Sequence, residues 1–239
     1  MNVLVLGASS SIGNSIVKSF AKNNKLYLLS TKREKLEILK NEAIALGSLN
    51  VEIIEADLQH PINISALMPE SIDMIINAAC ASSSLKNYNI EPHRHYYYTA
   101  VDLSNPLVVL EHFLKEKSKQ GKHTQLYYIF INTILSKIKS PDYSIYYSYK
   151  ILQQEYMSGL QRKYGDILKS INVIVGTQID RTKETKKTVD LANRIKFSIK
   201  RNESEFIFGF EGKIIYMLYR ISPLLSNCLI YMKRFLFRQ

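Results

Sequence analysis

Apolar runs of four to six residues alternate along this chain with longer stretches whose apolar positions recur at helical spacing. The runs Asn2–Leu6, Lys25–Leu29, Val51–Glu55, Met74–Ile76, Leu126–Ile131 and Ser170–Val175 predict strands, with a later short one at Glu205–Phe208. Ile12–Asn23, Glu34–Ala45, Ser104–Lys117 and Tyr146–Tyr164 predict the helices that cross between them. A β-α-β-α order of this kind predicts an α/β fold: a doubly wound parallel sheet of the Rossmann type, covered by helices on both faces. Its ligand crevice is expected beyond the carboxyl ends of the strands.

A chain of 239 residues, 46% apolar and 22% charged, buries a sizeable core, which excludes disorder as its main state. Net charge sharpens the picture. From Arg181 to Gln239 there are 13 Lys and Arg against 5 Asp and Glu, so eight of the eleven net positive charges belong to the last quarter. That distribution argues against a general nucleic-acid surface and for a distinct tail. We therefore divide the chain into a single α/β domain over 1–211 and a basic amphipathic tail over 212–239. Cys80 and Cys228 are too few for a disulfide framework and lack histidines at zinc spacing, so no metal site is expected. A reducing, cytoplasmic setting fits them. No basic leader or long apolar stretch precedes Val3, and residue 1 is read as the start of the folded protein.

Between the first strand and first helix lies Gly7-Ala8-Ser9-Ser10-Ser11-Ile12-Gly13, where a turn would bring backbone amides and a helix N-terminus up to a phosphate. Read alone, it is also an ordinary strand–helix turn. The second strand runs into Ser30-Thr31-Lys32-Arg33, the place where a dinucleotide fold sets the adenine ribose. Two cations there would neutralise a 2′-phosphate, which favours NADP(H) over NAD(H). The competing reading makes Lys32 and Arg33 the solvated start of a helix. Asp57-Leu58 and Asn77-Ala78-Ala79-Cys80 end the third and fourth strands at the same rim.

Over roughly residues 2–182 this order of motifs resembles the short-chain dehydrogenase/reductase family. Its glycine-rich turn is similar to Gly7–Gly13, with Ser11 where a middle glycine is usual. Asn77-Ala78-Ala79 resembles its Asn-Ala-Gly segment, Asp57-Leu58 its adenine-contacting pair, and Tyr146-Tyr147-Ser148-Tyr149-Lys150 its Tyr-x-x-x-Lys motif. Residues i and i+4 share one helix face, so Tyr146 and Lys150 point together, and an adjacent ammonium favours the phenolate. The resemblance implies that Tyr146 protonates a carbonyl oxygen as hydride arrives, and that Lys150 also binds the nicotinamide ribose. It further implies a hydroxyl thirteen residues before the tyrosine, a position held by Thr133, with Ser136 as fallback. A fourth family position falls on Asp102 by pattern or Asn105 by distance. Val175-Gly176-Thr177 through Thr182 resembles the stretch that faces the carboxamide, and the short segment after it suggests an open site. The implied cofactor contacts are Gly7, Ser9, Ser10, Ile12, Gly13, Thr31, Lys32, Arg33, Asp57, Leu58, Asn77, Ala78, Ala79, Tyr146, Lys150 and Val175.

In the tail, Lys213, Arg220, Asn227 and Arg234 recur every seven residues, and Ser222-Pro223 separates two expected helices, Gly212–Ile221 and Pro223–Phe237. Three readings compete: a membrane-surface anchor, a homodimer or homotetramer contact, and packing on the sheet. The first is preferred, because Lys233, Arg234 and Arg238 stand beside Phe235, Leu236 and Phe237. His93-Arg94-His95 followed by Tyr96-Tyr97-Tyr98 can be read as a metal site or a stacking surface for bases, but no third ligand is visible and the tyrosines read rather as helix packing; His60, His112 and His123 read as surface or loop residues. The expected function is a carbonyl reductase or alcohol dehydrogenase acting on a small-molecule, lipid or lipid-linked sugar substrate, with no nucleic-acid partner. The alternatives are a non-catalytic NADP(H)-binding or membrane-partner protein, and a nucleic-acid binder working through the tail.

Overall fold

The computed structural model describes residues 1–61, 67–81, 92–120, 124–138, 144–180 and 182–223. Within them, seven parallel strands, β1 (Asn2–Leu6), β2 (Lys25–Ser30), β3 (Asn50–Glu55), β4 (Met74–Asn77), β5 (Leu126–Thr133), β6 (Leu168–Val175) and β7 (Glu205–Phe208), form one sheet in the order β3-β2-β1-β4-β5-β6-β7. The order turns back on itself at β1, which pairs with β2 on one side and β4 on the other. That junction is the switch point at which a doubly wound sheet opens its crevice. The expected fold class is what the chain adopts.

The helices are α1 (Ser11–Phe20), α2 (Arg33–Ala45), α3 (Pro92–Thr99), α4 (Asn105–Lys119), α5 (Leu135–Ile138), α6 (Ser144–Tyr164), α7 (Lys186–Lys200) and α8 (Phe210–Ile221). Side chains alternate across each strand, which splits the core in two. Val3, Val5, Leu26 and Leu28 pack beneath α1, α2 and α7. Leu4, Leu6, Tyr27 and Leu29 face the other way, against α4 and α6.

Boundaries differ from expectation where local chemistry intervenes. α1 stops at Phe20 rather than Asn23, because Asn23 adopts a left-handed φ of 61°. β5 runs on to Thr133 and β6 begins at Leu168, since the two stay in register from Leu126↔Leu168 to Thr133↔Val175. Between α3 and α4 the chain winds through one widened π turn, Ala100–Ser104. Of the tail, α8 covers the first expected helix and begins two residues earlier; residues 224–239 lie outside the described part, as does His123. Tyr98 is buried and Tyr96 exposed, so the tyrosine run packs with only part of its surface.

Asp73, just before β4, accepts from the Asn2 N–H at 2.8 Å and from the Lys117 ammonium at 3.1 Å. Burial pushes its carboxyl up, but those two donors outweigh it and hold it below the usual carboxylate range. A depressed folded pKa stabilises fully above the unfolded value of about 3.9 and is lost as pH falls through the lowered value. Asp73→Asn should therefore cost about 1 kcal/mol near neutrality, the scale of a partly exposed pair. The difference from wild type in urea unfolding should close in acid, and a gap independent of pH would refute this.

Candidate functional site

The carboxyl edges of β1 and β4 meet at a backbone cradle. The Gly7 N–H donates to the Leu29 carbonyl at 2.9 Å, and Gly7 holds a left-handed φ of 75°. A methyl on Gly7 would lie 2.7 Å from the Ala79 nitrogen, and one on Gly13 would lie 2.3 Å from the Gly7 oxygen. Glycine is thus required at both ends of the bend. Ser10 caps α1: its hydroxyl donates to the Gly7 carbonyl at 2.8 Å and accepts from the Gly13 N–H at 3.0 Å. The next turn is closed by the Asn14 N–H on the Ser10 carbonyl. Helix geometry then leaves the Ser11 and Ile12 amides pointing out of the N-terminus, where an anion is stabilised by both hydrogen bonds and the helix dipole.

Ser11, in place of the usual glycine, turns its side chain away from that space. It is 6% exposed and donates to the Asp180 carbonyl at 2.7 Å. One turn on, the Ser15 hydroxyl donates to Thr188 at 2.7 Å, and Lys18 bridges Glu184 at 2.9 Å and Glu42 at 3.1 Å. Three positions of α1 thereby fasten the segment that follows β6. The Thr182 hydroxyl and N–H, donating to Asp180, hold its carboxyl below the usual range.

At the end of β2, Ser30 bonds Ser9 of the cradle and accepts from the Lys32 N–H at 3.3 Å. Thr31, Lys32 and Arg33 are exposed. Arg33 starts α2 and pairs with Glu55 at 3.2 Å and Glu37 at 3.5 Å. Its guanidinium is already shared, so Lys32 is the better placed of the two cations for a phosphate. Asp57 accepts from the Gln59 N–H at 2.8 Å, and Leu58 is buried.

Across the crevice, Asn77 is 1% exposed; its carbonyl oxygen accepts from the Ala79 N–H at 3.2 Å, and its amide donates to the Tyr128 hydroxyl at 3.2 Å. Gln153 of α6 donates to the same hydroxyl at 3.0 Å. Burial pushes the Tyr128 phenol well up, against the pull of these two donors. The loop after β4 is thus tied to α6 through a neutral phenol. Sequence reasoning missed Tyr128 and Gln153. The available signal was Gln153, three residues past Lys150 on the same buried face.

Tyr146 is half-buried in the first turn of α6, and Lys150 lies one turn further, 2% exposed. Among the described residues no hydrogen bond or ion pair engages the Lys150 ammonium. An ammonium has three protons to donate, and ribose hydroxyls would accept them. Together with the glycine cradle, this shows that the residues present fit a dinucleotide.

Thr133 ends β5, 8% exposed, with its hydroxyl accepting from the Leu135 N–H at 3.3 Å and keeping its own proton to donate. The fallback Ser136 spends its proton on the Thr133 carbonyl at 2.7 Å. Asn105 donates to the carbonyls of Leu58 at 2.6 Å and His60 at 3.0 Å, fastening the loop after β3. Asp102 instead lies fully buried in the π turn, which packs on α6, and accepts from the Ala81 N–H at 2.6 Å. The Val175 carbonyl accepts from the Ile134 N–H at 2.9 Å.

A parallel sheet with its switch point at β1, an amide cradle there, and a tyrosine–lysine pair on the crossover helix together define a doubly wound dinucleotide-binding protein. A family model described as short chain dehydrogenase matches residues 1–190, and the chain belongs to that family. Among solved structures it is similar to a short-chain dehydrogenase from Sphingobium yanoikuyae in complex with NADPH, at 17% identity and a TM-score of 0.75, covering 97% of this chain and 95% of that one. It is similar to the bulky-bulky ketone specific alcohol dehydrogenase from Comamonas testosteroni at 15% identity and a TM-score of 0.75, covering 94% and 93%. FolM alternative dihydrofolate reductase 1 from Brucella suis, in complex with NADP, aligns at 14% identity and a TM-score of 0.76, covering 89% and 95%. Likeness at these identities speaks for the fold. No curated protein matches the sequence significantly.

Proposed function

We propose that this protein is an NADP(H)-dependent carbonyl reductase, or the reverse alcohol dehydrogenase. The observation that carries this reading is the enclosed Lys150 one helical turn from Tyr146 on the crossover helix, in a sheet whose β1 edge carries the amide cradle. Gly7, Ser9, Ser10, Ile12 and Gly13 would hold the pyrophosphate; Thr31, Lys32 and, less freely, Arg33 the 2′-phosphate. Asp57 and Leu58 would border the adenine, Asn77, Ala78, Ala79 and Val175 the nicotinamide half. When bound, the dinucleotide supplies the hydride.

The chain's own part is proton handling and alignment. Thr133 donates a hydrogen bond to the substrate oxygen, keeping its proton and fixing the oxygen's direction, while Tyr146 delivers the one proton that turns the developing alkoxide into an alcohol. Lys150 stabilises the phenolate left on Tyr146. A pair prearranged this way needs no reorganisation as charge develops. The segment after β6, fastened to α1 through Ser11, Ser15 and Lys18, leaves little chain to fold over the substrate. That supports a bulky carbonyl compound, lipid or lipid-linked, as the class to test first.

The direct test is NADPH oxidation against a panel of bulky ketones and aldehydes, together with dinucleotide titration by fluorescence. Tight binding without turnover on any carbonyl would favour the non-catalytic reading, and absence of both would overturn the proposal. Lys32→Ala should weaken NADPH binding about tenfold or more, the scale of a charge-assisted hydrogen bond, while leaving NADH unchanged. Equal losses for the two dinucleotides would remove Lys32 from the phosphate site.

A further inference from the structure

We infer that the outward face of α8 is a docking surface for an anionic lipid bilayer, a reading independent of the redox chemistry. At about 100° per residue, Phe210, Met217 and Ile221 fall within an arc of about 40°. They are 77%, 57% and 70% exposed. Lys213 and Arg220, both exposed, lie together along one flank of that arc. The opposite side is fixed inward, because Gly212, the buried residue of α8, packs on Gly176 at the end of β6. The helix is therefore held by a glycine contact and turns its large apolar side chains to water, with two cations beside them.

Charge selects the occupant. α8 carries Lys213 and Arg220 against Glu211, which lies on the other flank of the apolar arc, and residues 212–239 contain Lys213, Arg220, Lys233, Arg234 and Arg238 and no acidic residue. A second copy docking on this face by two-fold symmetry would bring the same cations against themselves. An anionic leaflet attracts every one of them, and lets Phe210, Met217 and Ile221 enter the interfacial region while the cations reach the headgroups. The described helices contain none long and apolar enough to cross a bilayer, and α8, about 18 Å long, suits a position lying in the interface plane.

The test is co-sedimentation of the full chain with phosphatidylcholine vesicles, with and without phosphatidylglycerol, at low and high salt. Wild type should bind the phosphatidylglycerol vesicles at low salt and be released at high salt, with little binding to phosphatidylcholine alone. Each neutralised cation should lower partitioning about fivefold, so the Lys213→Gln/Arg220→Gln variant should lose about 25-fold. Met217→Asp/Ile221→Asp should lose binding at low salt, although it keeps both cations. Both variants change exposed side chains, and circular dichroism with NADPH titration checks that they fold. Wild-type binding by the Lys213→Gln/Arg220→Gln variant would overturn the inference, as would indifference to phosphatidylglycerol. A dimer in light scattering that Met217→Asp/Ile221→Asp splits, with vesicle binding unchanged, would assign the face to a second copy instead.

Discussion

Tyr146→Phe is expected to lower turnover by about 10²–10⁴-fold, the range that a positioned general acid contributes, while NADPH affinity stays close to wild type. The substitution removes one oxygen and keeps the ring. Lys150→Ala differs because it removes the enclosed cation one turn from Tyr146. It should lose turnover to a similar extent and also weaken dinucleotide binding. The double variant should be little worse than either single one, since the two groups act as one proton-delivering unit. Steady-state kinetics with a dinucleotide titration separate these effects. Retention of half the turnover by Tyr146→Phe would remove the proton-donor role, and additive losses would mean that the two residues work apart.

Gly13→Ala should damage both stability and binding. Its new methyl meets backbone on two sides, the Gly7 oxygen at 2.3 Å and the Ala8 Cα at 2.9 Å, neither the end of a flexible side chain. Relief requires α1 to move away from the bend as a body. Overpacking of this kind costs about 1–3 kcal/mol, a fall in Tm of about 2–4 °C per kcal/mol for a domain of this size. The same movement carries the Ser11 and Ile12 amides away from the phosphate, so NADPH affinity should fall by more than tenfold even where the variant remains folded. Thermal unfolding with and without NADPH measures both, and unchanged stabilisation by NADPH would mean that the cradle does not hold it.

The sheet was legible because strands buried on both faces read as almost continuous apolar runs: Val3-Leu4-Val5-Leu6 and Met74-Ile75-Ile76 can hardly be anything else in this order. The site's outline was legible because the chain delivers its parts in sequence to one edge, and Thr133 could be found by counting back from Tyr146. What escaped were bonds between distant segments. Nothing local tells that the Ser11 hydroxyl finds a carbonyl at Asp180, or that Arg33 is drawn to Glu55 because β2 and β3 end side by side. The π turn at Ala100–Ser104 is equally silent, since widening one turn leaves the apolar spacing of its neighbours nearly intact. Only that turn separates the two candidates for the fourth family position, by burying Asp102 and sending Asn105 to the loop after β3.

Gly176 and Gly212 meet without side chains: a methyl on either would come within 2.5 Å of the other's Cα. Main chain resting on main chain has no rotamers with which to absorb displacement. A shift of α8 therefore meets no side chain that could absorb it before the tip of β6, next to Val175 at the rim of the crevice.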